Sequence, residues 1–186
     1  MPTLDASLAE CRIFTFKEGM LSAVAHDLEL DVTRFTIQIE GQIDGQAKGQ
    51  AKVSARFETG SLRVLHAMRD GQATSQLSAG DRAKIEKTMA DEVLEVRRYP
   101  DVRFDATATA AGEGEGEGFA LAGELVVHGK ARPLTVRARP QAGRLVAEVS
   151  LHQPDFGIKP YSAMLGALKV RPDVKVRISV PWPLPT

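Results

Sequence analysis

The chain has little of what small proteins use as staples, signals or reactive centres. It holds one cysteine, Cys11, in 186 residues, which excludes an internal disulfide and is compatible with a reducing compartment. Neither sign of charge is in excess: 24 Lys plus Arg stand against 24 Asp plus Glu, which argues against a nucleic-acid platform or a surface drawn strongly to anionic lipid. No run approaches the roughly 20 apolar residues of a membrane-crossing helix. The opening MPTLDASLAEC lacks the basic and apolar regions of a signal peptide, and Glu10 sits where a lipoprotein box wants a small residue, so a cytoplasmic protein is expected. The histidines, His26, His66, His128 and His152, form no His-x-His or His-x3-His pair, and Ser22 has no G-x-S-x-G context. No metal site and no catalytic nucleophile is therefore expected.

What the chain does have is alternation. Residues 119–139 read FALAGELVVHGKARPLTVRAR. Phe119, Leu121, Gly123, Leu125 and Val127 share one face of an extended arm, and Leu134, Val136 and Ala138 share one face of the returning arm. Residues 128–131 are the only candidate turn between them. The same period recurs through residues 12–17 (RIFTFK), in Leu28, Leu30 and Val32, in Phe35, Ile37 and Ile39, and in Ala51, Val53, Ala55 and Phe57. It recurs again in Val102, Phe104, Ala106 and Ala108, in Leu145 to Leu151, and in Val174 to Val180. Between Val32 and Phe35 the apolar parity jumps, which requires either a tight turn or a bulged bend at Thr33-Arg34. Residues 19–25 are long enough for a helical turn or two, Asp44-Gly45 is a turn signal, GQAKGQAK repeats four residues, and GEGEGEG (112–118) reads as a solvated loop. Residues 59–101 lack clean alternation and carry the one convincing helix, 78–93, with Ser78 as N-cap, Asp81 three residues on, and Ile85, Met89 and Val93 on one stripe.

With 43% hydrophobic residues the chain is expected to fold as a single domain, 1–186, all-β and antiparallel, with about eight strands and one external helix. Strands with one buried face must stack as two sheets or close into a barrel, and the pattern alone leaves both open. In a filled sandwich the inward residues touch one another; in a barrel they line a cavity.

Several motifs, in order along almost the whole chain, resemble the YceI-like family of polyisoprenoid-binding proteins. They are the hairpin GELVVHGKARPL (123–134), His26, Thr59-Gly60-Ser61, Tyr99-Pro100 with Phe104, and Asp155-Phe156-Gly157-Ile158. The resemblance implies a lipocalin-like antiparallel β-barrel and non-catalytic storage or transport of a long-chain amphiphile, an isoprenoid quinone or polyprenyl lipid, with no other cofactor. It also implies a homodimer, and its many exported members make this chain a branch without an export signal. His26 and the segment 155–162, including Asp155, Phe156, Tyr161 and Ser162, are expected near one mouth, where polar groups can meet a head group. The tail is expected against Phe35, Ile37, Phe104, Leu121, Leu125, Val127, Leu134 and Val136. Two other classes stay open, an enzyme using mouth histidines on a small lipid-like substrate and a filled β-sandwich interaction module.

Overall fold

A computed structural model describes residues 2–18, 26–41, 50–110 and 118–184. The expected helical turns at 19–25, the Asp44-Gly45 turn with most of the GQAKGQAK repeat, and the acidic glycine loop but for Gly118 lie outside the described residues. In chain order the elements are β1 (Thr3–Asp5), β2 (Glu10–Thr15), β3 (Lys17–Glu18), β4 (Asp27–Val32), β5 (Phe35–Gly41), β6 (Gln50–Glu58), β7 (Leu62–Arg69) and β8 (Gln72–Thr74). There follow α1 (Ala79–Thr88), β9 (Asp101–Ala110), β10 (Phe119–Val127), β11 (Lys130–Gln141), β12 (Arg144–His152), β13 (Ser162–Ala163), β14 (Leu168–Val170) and β15 (Asp173–Pro181).

The fold is all-β and antiparallel. Twelve strands form one sheet in the order β1-β5-β6-β9-β10-β11-β12-β15-β2-β4-β7-β8, and three short ones form a second, β13-β14-β3. The expected count of about eight strands is thus too low, because the short strands β1, β3, β8, β13 and β14 and the bulged β7 carry no clear alternation. At Thr33-Arg34 the chain bends rather than turns back: β5 pairs with β6 through Phe35↔Phe57, while β4 pairs with β7 through Val32↔Leu62. One bent two-stranded ribbon results. Its β5–β6 half borders β9 and its β4–β7 half borders β2, so it joins both flanks of the sheet and curls it around an interior.

Ser61, fully buried, pins the bend. Thr33 Oγ1 donates to the Ser61 carbonyl at 2.9 Å, the Arg34 N–H donates to Ser61 Oγ at 3.0 Å, and that hydroxyl donates to the Glu58 carbonyl at 2.8 Å. Strand β7 escapes a reading by alternation for a physical reason. Its pairing slips between Leu30↔Val64 and Glu29↔His66, and the bulge at Leu65 puts the buried Val64 and Ala67 three residues apart instead of two.

The helix begins as its sequence requires. The Asp81 N–H donates to Ser78 Oγ at 3.1 Å and the Ser78 N–H returns a bond to Asp81 Oδ2 at 3.3 Å, a complete capping box; the Ser78 hydroxyl, donating to Asp81 Oδ2 at 2.7 Å, and then that N–H hold the Asp81 carboxyl below its ordinary range. After Thr88 the helix widens into a π turn, Met89–Val93, whose Met89 carbonyl accepts from the Leu94 N–H at 2.8 Å.

Turn chemistry fixes the central hairpin. His128 (φ 50°) and Gly129 (φ 73°) make the two-residue link that sets Val127↔Lys130, both residues in the left-handed region that such links require. Within the hairpin Gly123 faces Ala106 of β9, and a Cβ there would lie 2.0 Å from the Asp105 carbonyl oxygen and 2.5 Å from the Ala106 Cα. No side chain fits without parting β9 from β10. Gly123→Ala is therefore expected to cost about 2–3 kcal/mol in urea denaturation, whereas Gly60→Ala, where nothing lies within 4 Å, should stay within about 0.5 kcal/mol of the parent. Equal midpoints for the two variants would show that the sheet yields at Gly123.

Candidate ligand cavity

The curled sheet encloses a cavity of about 620 Å³. Ladder registers place its two ends. Phe119↔Ala138, Leu145↔Val180 and Cys11↔Ile178 lie at one end; Leu151↔Val174 and Thr15↔Leu28 lie at the other. The first end is packed shut by buried side chains, among them Cys11, Ala108, Phe119, Ala138, Leu145 and Val180. Trp182 sets its ring 5.2 Å from that of Phe119.

The second end is built differently. Strand β11 meets β12 only from Ala138↔Ala147 to Gln141↔Arg144, so the two strands part beyond that point. Phe156 and Ile158 fill the space, packing with Leu125 and Val127 of β10, Leu134 of β11 and Leu151 of β12. The stretch Asp155-Phe156-Gly157-Ile158 is shaped for this: a 3-10 turn over Gln153–Phe156 ends on Gly157 in the left-handed region (φ 73°), which sends Phe156 and Ile158 inward. Helix α1 spans the same end. Glu86 Oε1 accepts the Val64 N–H of β7 at 2.9 Å, and Val93 and Leu94 reach the Leu125–Val127 cluster. The expectation of a helix outside the strand wall is thus refined, since Ile85, Thr88, Met89 and Val93 line the cavity.

The inward residues of the central hairpin, Leu121, Leu125, Val127, Leu134 and Val136, all line the cavity, as do Ile37, Phe104, Phe156, Tyr161 and His26. Three expected members of the set lie elsewhere. Phe35 shares a strand face with Ile37 but is 5% exposed, packs ring to ring on Phe57 at 5.6 Å and is outside the lining, so Phe57 stands between it and the cavity. Asp155 and Ser162 are exposed to solvent and outside the lining, Asp155 on the 3-10 turn and Ser162 on β13. The sequence reading missed the contribution of α1 and of the closed end, although the Ile85, Met89, Val93 stripe carried the signal.

Of the four histidines only His26 lines the cavity. Its neighbour Asp27 instead accepts the Lys17 backbone N–H at 2.8 Å. His128 keeps only 10% of its side chain exposed: its ring lies 3.9 Å from that of Tyr99, and Nε2 is 3.1 Å from Glu95 Oε2, outside hydrogen-bonding geometry. His152 Nδ1 lies 2.9 Å from Asp173 Oδ1 on the exposed side chain of that residue. Among the described residues no three His, Cys, Asp or Glu side chains are grouped to hold a metal.

Cys11 at the closed end is the one lining group whose titration is displaced. Burial pushes its thiol from an ordinary 9.0 up to about 12, with Asp31 adding to the rise and Arg12 opposing it. The unfolded thiol ionises first, so the unfolded state binds fewer protons above pH 9 and stability falls as pH rises. Between about pH 9 and pH 11 the parent should lose about 2 kcal/mol more than Cys11→Ala in urea denaturation. Parallel slopes for the two proteins would mean that the thiol is in contact with water.

A family model described as YceI-like domain matches residues 4–182. BcnA of Burkholderia cenocepacia is similar in fold, with a TM-score of 0.63 at 14% identity over 95% of this chain and 98% of that one. An engineered mutant of Campylobacter jejuni YceI with a monobromobimane guest aligns at a TM-score of 0.50 and 13% identity over 77% of this chain and 78% of that one. Comparison with curated proteins gives no match. A family match over nearly the whole chain, and a fold shared with BcnA along its full length, make this protein a member of the YceI-like family.

Proposed function

We propose that the chain binds a long-chain amphiphile reversibly, as a store or carrier, and transforms nothing, with an isoprenoid quinone or polyprenyl lipid as the ligand class. One observation carries the reading. Apolar side chains that point inward from β2, β9, β10, β11, β12 and β15, namely Ile13, Phe104, Leu121, Leu134, Leu151 and Val174, are only half-buried and line the cavity. In a filled sandwich such residues would bury one another. An apolar chain supplies the missing contacts at roughly 0.8 kcal/mol per buried methylene, less the cost of association. His26 and Tyr161 supply hydrogen-bonding groups at the end where strands part, which suits a head group.

Native mass spectrometry of the purified protein, followed by organic extraction, tests the reading directly. A copurifying lipid near one per chain is expected; a bare chain that also takes up no long-chain lipid in vitro would overturn it. Two substitutions on adjacent residues check the assignment of faces. Leu125 is 6% exposed and lines the cavity, whereas Glu124 faces solvent. Leu125→Arg should expel bound lipid or prevent folding, and Glu124→Arg should do neither; equal loss of lipid in both would show the interior assignment to be wrong. His26→Ala should weaken lipid retention about tenfold, the worth of a net hydrogen bond, without lowering the melting temperature. Unchanged affinity per folded molecule in a less stable variant would make His26 a structural residue only.

A further inference from the structure

Among the described residues, four links set a non-glycine residue of positive φ before a glycine of positive φ: Asp70-Gly71, His128-Gly129, Ala142-Gly143 and Leu165-Gly166. Such links favour Asn, Asp or Gly in the first position, because a larger side chain crowds its own backbone there. Asp70 meets the rule, Ala142 is small, and the His128 ring gains the cover of Tyr99. Leu165 (φ 53°, ψ 33°) has no such return: its side chain is fully exposed, at the tip of the hairpin formed by β13 and β14. Nothing within the chain offsets the strain of a bulky residue held this way, so what the side chain serves lies outside the chain.

The hairpin stands at the end of the cavity where β11 and β12 part, since β14 pairs with β3 and β3 follows β2 just past Thr15. Its base is closed by the Val170 N–H, which donates to the Tyr161 carbonyl at 3.0 Å, and Tyr161, Leu168 and Val170 line the interior. Just outside that base stand Lys159 and Arg171, both exposed, and residues 156–172 hold no Asp or Glu. The third cation of the stretch, Lys169, faces Glu18 across the β3–β14 ladder and adds little.

We infer that the Leu165 tip is a membrane contact: it enters the headgroup layer of an anionic bilayer, with Lys159 and Arg171 against lipid phosphates, and the bound amphiphile passes between cavity and bilayer there. The inference rests on the proposed binding function and supplies its loading route. A leucine on a protruding turn with cations at its base suits the boundary between phosphates and acyl chains, whereas a protein interface needs a broad patch. The other exposed large apolar side chain among the described residues, Leu8, lies at the closed end, where its carbonyl accepts from Arg144 Nη2 at 3.2 Å. The proposed ligand class resides in bilayers, and passage through water would expose its whole tail. One leucine and two cations hold a protein of zero formal charge only weakly, so the contact is transient, as an exchange step requires.

The test uses the full chain carrying an anthroyloxy-labelled stearate, and phosphatidylcholine vesicles with or without about one quarter phosphatidylglycerol, which contain an energy acceptor for the label. Transfer to the anionic vesicles should quicken in proportion to vesicle concentration and run about threefold faster than to neutral ones, an advantage lost in high salt and in the Lys159→Gln, Arg171→Gln double variant. Leu165→Asn suits the turn, so it should raise the melting temperature by about 2 °C. It should nevertheless slow anionic transfer about tenfold, the worth of a leucine partly withdrawn from water. Leu165→Phe should keep the fast transfer, and Leu8→Asn should leave it unchanged. A rate independent of vesicle concentration, or equal rates for the parent and Leu165→Asn, would overturn the contact and leave the binding function standing. If the label is not taken up, that failure belongs to the binding function, and surface plasmon resonance of the unloaded chain over the two bilayers decides the contact. A response over the anionic bilayer in excess of the neutral one, lost in Leu165→Asn, supports it; equal responses overturn it.

Discussion

The constraint on which the structure depends is that the curl leaves inward apolar side chains of six strands only half-buried around a cavity. Residues on facing walls, such as Leu121 and Leu134 on one side and Ile13 and Val174 on the other, have the apolar character of a core and remain half-buried. A sheet curled around a cavity leans on its corners and its closed end. The packing of Phe119, Leu145, Val180 and Trp182 at that end does the work that a central core does in a sandwich. The ribbon β4–β7, tied through Ser61, supplies the second restraint by fixing how sharply the sheet bends.

The motifs that mark the family act mainly as those restraints. Thr59 Oγ1 donates to the Tyr99 carbonyl at 2.7 Å and the Thr59 N–H to the Pro100 carbonyl at 2.9 Å, which fastens the ribbon to the start of β9. The Tyr99 ring then covers the His128-Gly129 turn, where a Cβ on Gly129 would lie 2.9 Å from the ring. Thr59, Tyr99, His128 and Gly129 are thus one corner, assembled from three separate stretches of sequence. Gly123 allows the close approach of β9 and β10, and Gly157 aims Phe156 and Ile158 between the parted strands. A signature of this kind reports a shape, and several different ligands can suit one shape.

This explains which features could be read from the sequence. The arms of β6, β9, β10, β11, β12 and β15 are legible because each is buried on one face only, so period two survives. Strand β7 is not, because a bulge converts its period from two to three. The parity jump at Thr33-Arg34 announced a change of direction; choosing bend over hairpin required knowing that β4 and β5 have different partners. Phe35 shares the face of Ile37 and Ile39 yet packs on Phe57 instead of lining the cavity, a distinction that alternation alone does not make. Lining residues on the hairpin were legible, since they share a face with their neighbours. Those from β3 and β14 were not, because elements of two or three residues show no period and their position depends on where they dock.

The two ends of the cavity differ in more than composition. At the closed end the walls are long strands with continuous ladders, and the buried Ser179 Oγ is already engaged, accepting from Arg144 Nε at 2.6 Å. An ionic or hydrogen-bonding head group driven into that end would lose water and find no partner, which costs several kcal/mol. Under the proposed function the tail therefore enters first. At the other end the elements are short: β3 and β13 have two residues each and β14 has three, and they form a sheet of their own. Few ladder bonds tie such elements down, so local opening costs least there. Exchange of a bound chain through that end needs no rupture of the main sheet, and the orientation of the ligand and the route of its exchange follow from the same asymmetry.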